Sequence, residues 1–120
     1  MNLPIGLEGL WIIDADATTV YANSAMCQIL GADPPDVIGA TSFGYVFPED
    51  SDAARELFER KQRGGMSPFH FRLRRKDGSA VWVDVQGTPM RSAAGEFLGI
   101  VATFRVAGQR SSSAEPRKSA

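Results

Sequence analysis

The chain has 120 residues, 43% hydrophobic and 22% charged, a balance that suits one globular domain and excludes both a generally disordered chain and two full domains. A formal net charge of −1 excludes a strong electrostatic pull toward nucleic acid or an anionic membrane. With Cys27 and His70 the sole residues of their types, an internal disulfide, a Cys-x-x-Cys motif and an ordinary zinc site are excluded, and no apolar run approaches a membrane span.

Residues 1–8 read as a flanking segment, 9–106 as the domain and 107–120 as a tail. The opening "MNLPIGLEGL" has no basic segment before an apolar stretch, so no signal peptide is expected and the default compartment is the cytoplasm. "GLWIID" (9–14) reads as a strand, Asp14 and Asp16 supply a turn, and "TVYA" (19–22) reads as the second strand of a hairpin. Met26, Ile29 and Leu30 then fall at helical spacing, with Asn23 or Ser24 as N-cap and Gly31 as the stop. "ADPPDVIG" predicts a very short helix capped by Asp33, with Asp36 in the reach-back position of a capping box and Gly39 at its end. "SFGYVF" (42–47) predicts a further helical turn stopped by Pro48.

"PEDSDAARELFERKQRGG" predicts the one long helix. Asp50 or Ser51 caps it, acids crowd its first turn as the helix dipole prefers, and Gly64-Gly65 close it. Ala54, Leu57, Phe58 and Lys61 share one side, with Leu57 and Phe58 as expected anchors. Strands follow at about 68–76, 80–91 and 96–106. The first two are joined by Asp77-Gly78, read as a two-residue turn, and the last two by "SAAGE". The tail is small and polar, carries Arg110, Arg117 and Lys118 against Glu115, and reads as a disordered, solvated linker. The predicted fold class is α+β: a five-stranded antiparallel sheet with helices inserted on one face between strands two and three.

Alternation assigns the two faces of that sheet. Val81, Val83 and Val85, with Phe69, Phe71 and Leu73 and with Leu98, Ile100, Ala102, Phe104 and Val106, should meet the helices. Trp82 and Val101 are the apolar members of the opposite, mixed face, alongside His70, Arg72, Asp84 and Gln86. An exposed tryptophan there is a candidate contact for a second subunit, unless "MNLPIGL" folds back over it.

"GLWIIDADATTVYAN", a helix ending "ILG", "DVIGATSFGYVFPED" and "FRLRRKDGSAVWVDVQGTPMRSAAGEFLGIVATFRV", in that order, resemble the Per-Arnt-Sim (PAS) sensor-domain family from about Gly6 to Val106. In the family, positions matching Asn23, Gly39, Pro48-Glu49-Asp50, Asp77-Gly78, Trp82 and Gly99 recur for structural reasons. The resemblance implies a regulatory input module without catalysis of its own, such as that of a sensor histidine kinase, a diguanylate cyclase or a transcription regulator. Such a module holds a small ligand between sheet and helices or dimerises, and is covalently linked to an output domain. Where the family usually runs through an Asp-Ile-Thr-like junction into a coiled coil, this chain has "FRVAGQRSSS", so the link to an output domain is expected to run differently or to lie outside this chain.

The residues expected to face a cavity are Met26, Ile29, Tyr45, Phe47, Leu57, Phe58, Phe71, Val83, Ile100 and Phe104. The expected partner is a second copy through the sheet face bearing Trp82 and Val101. Cofactor sensing is disfavoured. The long helix carries no histidine for a haem iron, and His70 alternates onto the outer face. The reactive-cysteine motif of flavin photoreceptor relatives is missing from "SFGYVF", and Cys27 sits beside a buried stripe; Trp11, Trp82 and Tyr45 could line a non-covalent flavin pocket, but aromatics of this kind are expected in a core. The sequence holds no nucleophile elbow, phosphate loop or paired acid motif. A small α+β pocket enzyme would need a buried acid, and Asp84 alternates away from the valines. In "RLRRK" neighbouring side chains diverge, so no nucleic-acid surface is expected.

Overall fold

The computed structural model describes residues 8–64 and 68–107. Strands β1 (Gly9–Asp14) and β2 (Thr19–Ala22) are followed by helices α1 (Ser24–Leu30), α2 (Pro34–Val37) and α3 (Ser51–Gln62), then by β3 (Phe69–Arg74), β4 (Ala80–Arg91) and β5 (Phe97–Val106). Two 3₁₀ turns, Ser42–Tyr45 and Pro48–Asp50, lie between α2 and α3. All pairings are antiparallel, in the order β2-β1-β5-β4-β3, so the first and last strands of the sequence meet at the centre. The segments "MNLPIGL", 65–67 and 108–120, and with them the readings of a covering N-terminus and of the tail, lie outside the described residues.

Local chemistry accounts for the junctions. Asn23 Oδ1 accepts from the N–H groups of Met26 at 2.9 Å and Leu10 at 3.0 Å, so a single side chain caps α1 and ties it to β1. Gly31, at φ 65°, ends α1 with the Ala32 N–H donating back to the Cys27 carbonyl at 3.1 Å. In α2 the Asp36 carboxylate reaches back to the Asp33 N–H at 3.3 Å. Asp50 occupies the cap position of α3 but makes no side-chain cap bond. Its carboxylate turns to Arg72, accepting from Nε at 2.9 Å and lying 2.8 Å from a terminal guanidinium nitrogen, because a charge-assisted forked pair outcompetes a neutral backbone donor.

The β3–β4 turn differs from the two-residue form. Arg75 N–H donates to the Ser79 carbonyl at 2.8 Å and Gly78 N–H to the Arg75 carbonyl at 2.9 Å, leaving Lys76, Asp77 and Gly78 as the loop. Only Gly78, at φ 93°, takes the left-handed conformation, and Asp77 Oδ1 accepts from the Ser79 N–H. The β4–β5 turn repeats this design with Ser92, Gly95 and Glu96.

The valines of β4 are buried and Trp82, Asp84 and Gln86 are exposed, as alternation requires. Leu98 departs from the expected inner face. The β4–β5 register passes from Met90↔Gly99 to Arg91↔Phe97, so Leu98 is the extra residue of a bulge and is 48% exposed, while Phe97 takes the core side. Val106, also expected inside, is half exposed at the last residue of its strand. The core runs from Met26, Leu30 and Val37 through Trp11, Tyr45 and Val83 to Ile100 and Phe104. Trp11 donates its indole N–H to Thr19 Oγ1 at 2.9 Å, which satisfies the polar atom of a buried ring.

Candidate functional site

Toward α3 the core does not close. Gly87 of β4 and Ala102 of β5 are direct partners in the sheet, and with Ala54 of α3 they put three small residues around one volume. A cavity of about 120 Å³ results. Phe58 and Leu57 of α3, Phe69 and Phe71 of β3, Phe43 of the first 3₁₀ turn, Ile100, Phe104 and Trp11 line it. Phe43, Phe58 and Phe97 form an edge-to-face series with centroids 6.0 and 5.9 Å apart, and Phe69 and Phe71 meet edge-to-face at 6.4 Å. Phe58 and Leu57, the expected anchors of α3, are only half buried; Ala54 and Lys61 are the buried residues of that helix.

Among the described residues Lys61 supplies the one charge in the lining, and Ser42 the one other polar side chain. The ammonium lies 5.4 Å from the centroid of Phe69, a cation–π contact, and burial pushes its pKa below the ordinary lysine value.

Of the residues expected at a cavity, Leu57, Phe58, Phe71, Ile100 and Phe104 line this one. Met26, Ile29 and Val83 do not; they are buried in the core. Tyr45 packs edge-on against Trp11 at 6.0 Å and donates its hydroxyl to the Asp36 carbonyl at 3.1 Å. Phe47 lies beneath the Arg72 guanidinium, 4.4 Å away. Phe43, Phe69, Lys61 and Gly87 were missed as lining residues. The first three carried a signal: Phe69 shares the face of Phe71, Lys61 shares that of Ala54 and Phe58, and Phe43 opens the "SFGYVF" turn.

The outer face is separate from the cavity. His70 Nδ1 lies 2.9 Å from Asp84 Oδ1, and the imidazole stacks on Trp82 at 4.8 Å and 10°. Trp82 therefore shares no pocket with Trp11 and Tyr45, which corrects the flavin lining considered above. Cys27 is buried within α1, its thiol pushed up by desolvation, and does not line the cavity. Trp82 and Val101 share the outer face but form no single patch. The β4 partner of Val101 is Thr88, which places the two side chains roughly 20 Å apart at strand spacing. Val101 neighbours Ile12 and Tyr21 instead, by way of the β5–β1–β2 ladder. Among the described residues no group of three or more His, Cys, Asp or Glu side chains is placed to hold a metal ion, and no helix is long and apolar enough to cross a membrane.

A central antiparallel sheet with helices between its second and third strands defines a recognisable class of α+β domain. The sequence model of the PAS fold matches residues 8–107, and the chain belongs to that family, whose members are generally regulatory sensory modules. The chain is 32% identical over 90 residues to sporulation kinase A of Bacillus subtilis (strain 168), an alignment covering 73% of this chain and 14% of that protein. It is 29% identical over 73 residues to the aryl hydrocarbon receptor nuclear translocator homolog of Drosophila melanogaster, covering 59% of this chain and 11% of that protein. The chain thus spans a small fraction of either relative. Among solved structures, a PAS domain from Colwellia psychrerythraea superposes with a TM-score of 0.79 at 16% identity, covering 86% of this chain and 88% of that one. A light-oxygen-voltage domain studied with a flavin analogue superposes at 0.76 and 22% identity, covering 89% and 82%. These likenesses establish the fold.

Proposed function

We propose that the chain is the sensory input module of a bacterial signal-transduction protein of the sensor histidine kinase type, acting in the cytoplasm without catalysis of its own. In this reading it takes a small ligand into the cavity beneath α3. The cavity between Gly87, Ala102 and Ala54 carries the proposal, and the similarity to sporulation kinase A supports its context. A ligand seated there touches both α3 and the central strands. It therefore favours one arrangement of helix against sheet, and a covalently linked output domain reads the bias as a population shift.

The lining does not fit haem or flavin. The imidazole of His70 is on the far side of the sheet, and no other histidine exists. A dry cavity of roughly 150 Å³ takes benzene, so about 120 Å³ admits on the order of six non-hydrogen atoms, less than a tricyclic flavin. The lining also holds no carboxylate for the rival pocket enzyme.

The test is to denature purified protein, identify released compounds by mass spectrometry, and compare Ala102→Leu, which fills the cavity floor. A released compound absent from Ala102→Leu is the expected result. A visible flavin or Soret band, or a compound retained equally by Ala102→Leu, would reject the cavity as the site. A second reading, dimerisation through the outer face, is favoured by Trp82, which is 41% exposed.

A further inference from the structure

Lys61 is an unusual wall for an otherwise apolar cavity. The residue is 6% exposed, in the last turn of α3, and it lines the same space as Phe58, Phe69 and Phe71. Its Cε stands 3.6 Å from where a side chain at Gly87 would begin, so the lysine stem lies over the cavity floor. A buried ammonium is costly in apolar surroundings, and the Phe69 ring face offsets part of that cost. A fully structural lysine would more commonly run its stem across apolar surface and carry its head into water.

An apolar lining with one cation and no carboxylate discriminates by charge. It disfavours cations and dianions, and it suits a ligand with an apolar body and a single negative head. A lysine ammonium offers three N–H donors, enough to join a carboxylate to whatever else it contacts. We infer that the cavity takes an apolar monocarboxylate, with its carboxylate on the Lys61 ammonium and its body among Phe58, Phe69, Phe71 and Ile100. At about 120 Å³, against roughly 150 Å³ for a cavity that takes benzene, the ligand has on the order of six non-hydrogen atoms, the size of butanoate or pentanoate. This inference rests on the proposed role of the cavity as a ligand site and adds the chemistry of what it reads.

The experiment titrates the full chain with butanoate, with pentanoate and with the neutral 1-butanol, by calorimetry and by the indole N–H resonances. Trp11 lines the cavity and Trp82 does not, so binding at the site moves the Trp11 resonance alone. Wild type is expected to prefer butanoate over 1-butanol by about tenfold or more, and pentanoate should bind as a carboxylate too. Lys61→Met, which keeps the length and apolar character of the stem, should lose that preference while still binding the alcohol. If wild type binds the alcohol as tightly as the acid, the role of Lys61 is overturned and the cavity remains a ligand site. If no probe moves the Trp11 resonance, the inference and the cavity reading fail together. The wild-type comparison decides these outcomes even if Lys61→Met does not fold.

Discussion

The layer between sheet and helices has two ends, and they are packed differently. At the α1 end Met26, Leu30 and Val37 are fully buried. At the α3 end Phe43, Phe58, Phe69 and Phe71 are larger yet only partly covered, because Ala54, Gly87 and Ala102 leave a hollow beneath them. Aromatic bulk does not compensate for small residues set in register. The closed end holds the fold together, and the open end is where a ligand would act under the proposed function.

The sharpest way to break this contrast is to truncate one side chain at each end. Leu30→Ala removes a wholly enclosed side chain and should cost about 2–5 kcal/mol in urea unfolding. Phe58→Ala deletes a larger ring, yet should cost about half as much or less, since the ring is half exposed and borders space already empty. Equal losses would mean that the α3 end is as tightly packed as the other.

Gly9 tests the closed end from the strand side. A methyl group there would lie 2.9 Å from Met26 Sδ, 3.0 Å from Ile29 Cδ1 and 3.1 Å from Met26 Cα. The sulfur can swing away, but the backbone of α1 must also give. Gly9→Ala should therefore destabilise by about 1–3 kcal/mol. At the open end, a methyl group at Gly87 meets only Ile100 Cγ2 closely, at 3.3 Å. Gly87→Ala should accordingly cost less than Gly9→Ala in the same melts.

The closed end was largely legible in the sequence, and the open end was not. Asn23, Gly31 and the spacing of Met26, Ile29 and Leu30 announce α1 because capping and helical periodicity are local. The alternation of Val81, Val83 and Val85 assigns the inner face for the same reason. The cavity depends on Gly87 standing opposite Ala102, and that pairing is a matter of register between strands joined by a bulged hairpin. The same bulge turned Leu98 outward and Phe97 inward, which no count of alternate residues could show. Asp50 read as a cap because its true partner, Arg72, is distant in sequence.

A smaller effect is expected from the ionisation of Lys61. Burial holds its ammonium below the ordinary value of 10.5, so the unfolded chain keeps its proton to higher pH than the folded chain. Between the lowered folded value and 10.5 the unfolded state binds more protons, and stability rises with pH through that window. Among the described residues the cavity lining contributes no other titratable group. Subtracting the unfolding free energy of Lys61→Met from that of wild type, from pH 7 to 11, removes contributions that the two proteins share. The difference should climb in favour of wild type as pH rises and then level off. A flat difference would show that the ammonium is as well hydrated in the folded protein as in the unfolded chain.

The outer face should give the smallest change in stability, and so serves as the control for both ends. Trp82 stacks on His70 and stands opposite Arg72 in the β3–β4 register. A cationic replacement would therefore add like-charge repulsion across the strands, and Trp82→Gln is the cleaner substitution. It should shift folding by about 0.5 kcal/mol, the scale of an exposed site, with some of that from the lost ring stack. If two copies pair through this face, the same ring sits in an interface, where tryptophan is often among the residues that dominate binding. Sedimentation over a concentration series then separates the two roles. Trp82→Gln should move a wild-type dimer toward monomer while its unfolding curve stays nearly unchanged. A wild type that remains monomeric at the highest concentration rejects pairing through the sheet. A Trp82→Gln protein that loses several kcal/mol would show that the ring is part of what holds β3 against β4, and the outer face would join the closed end as a structural region.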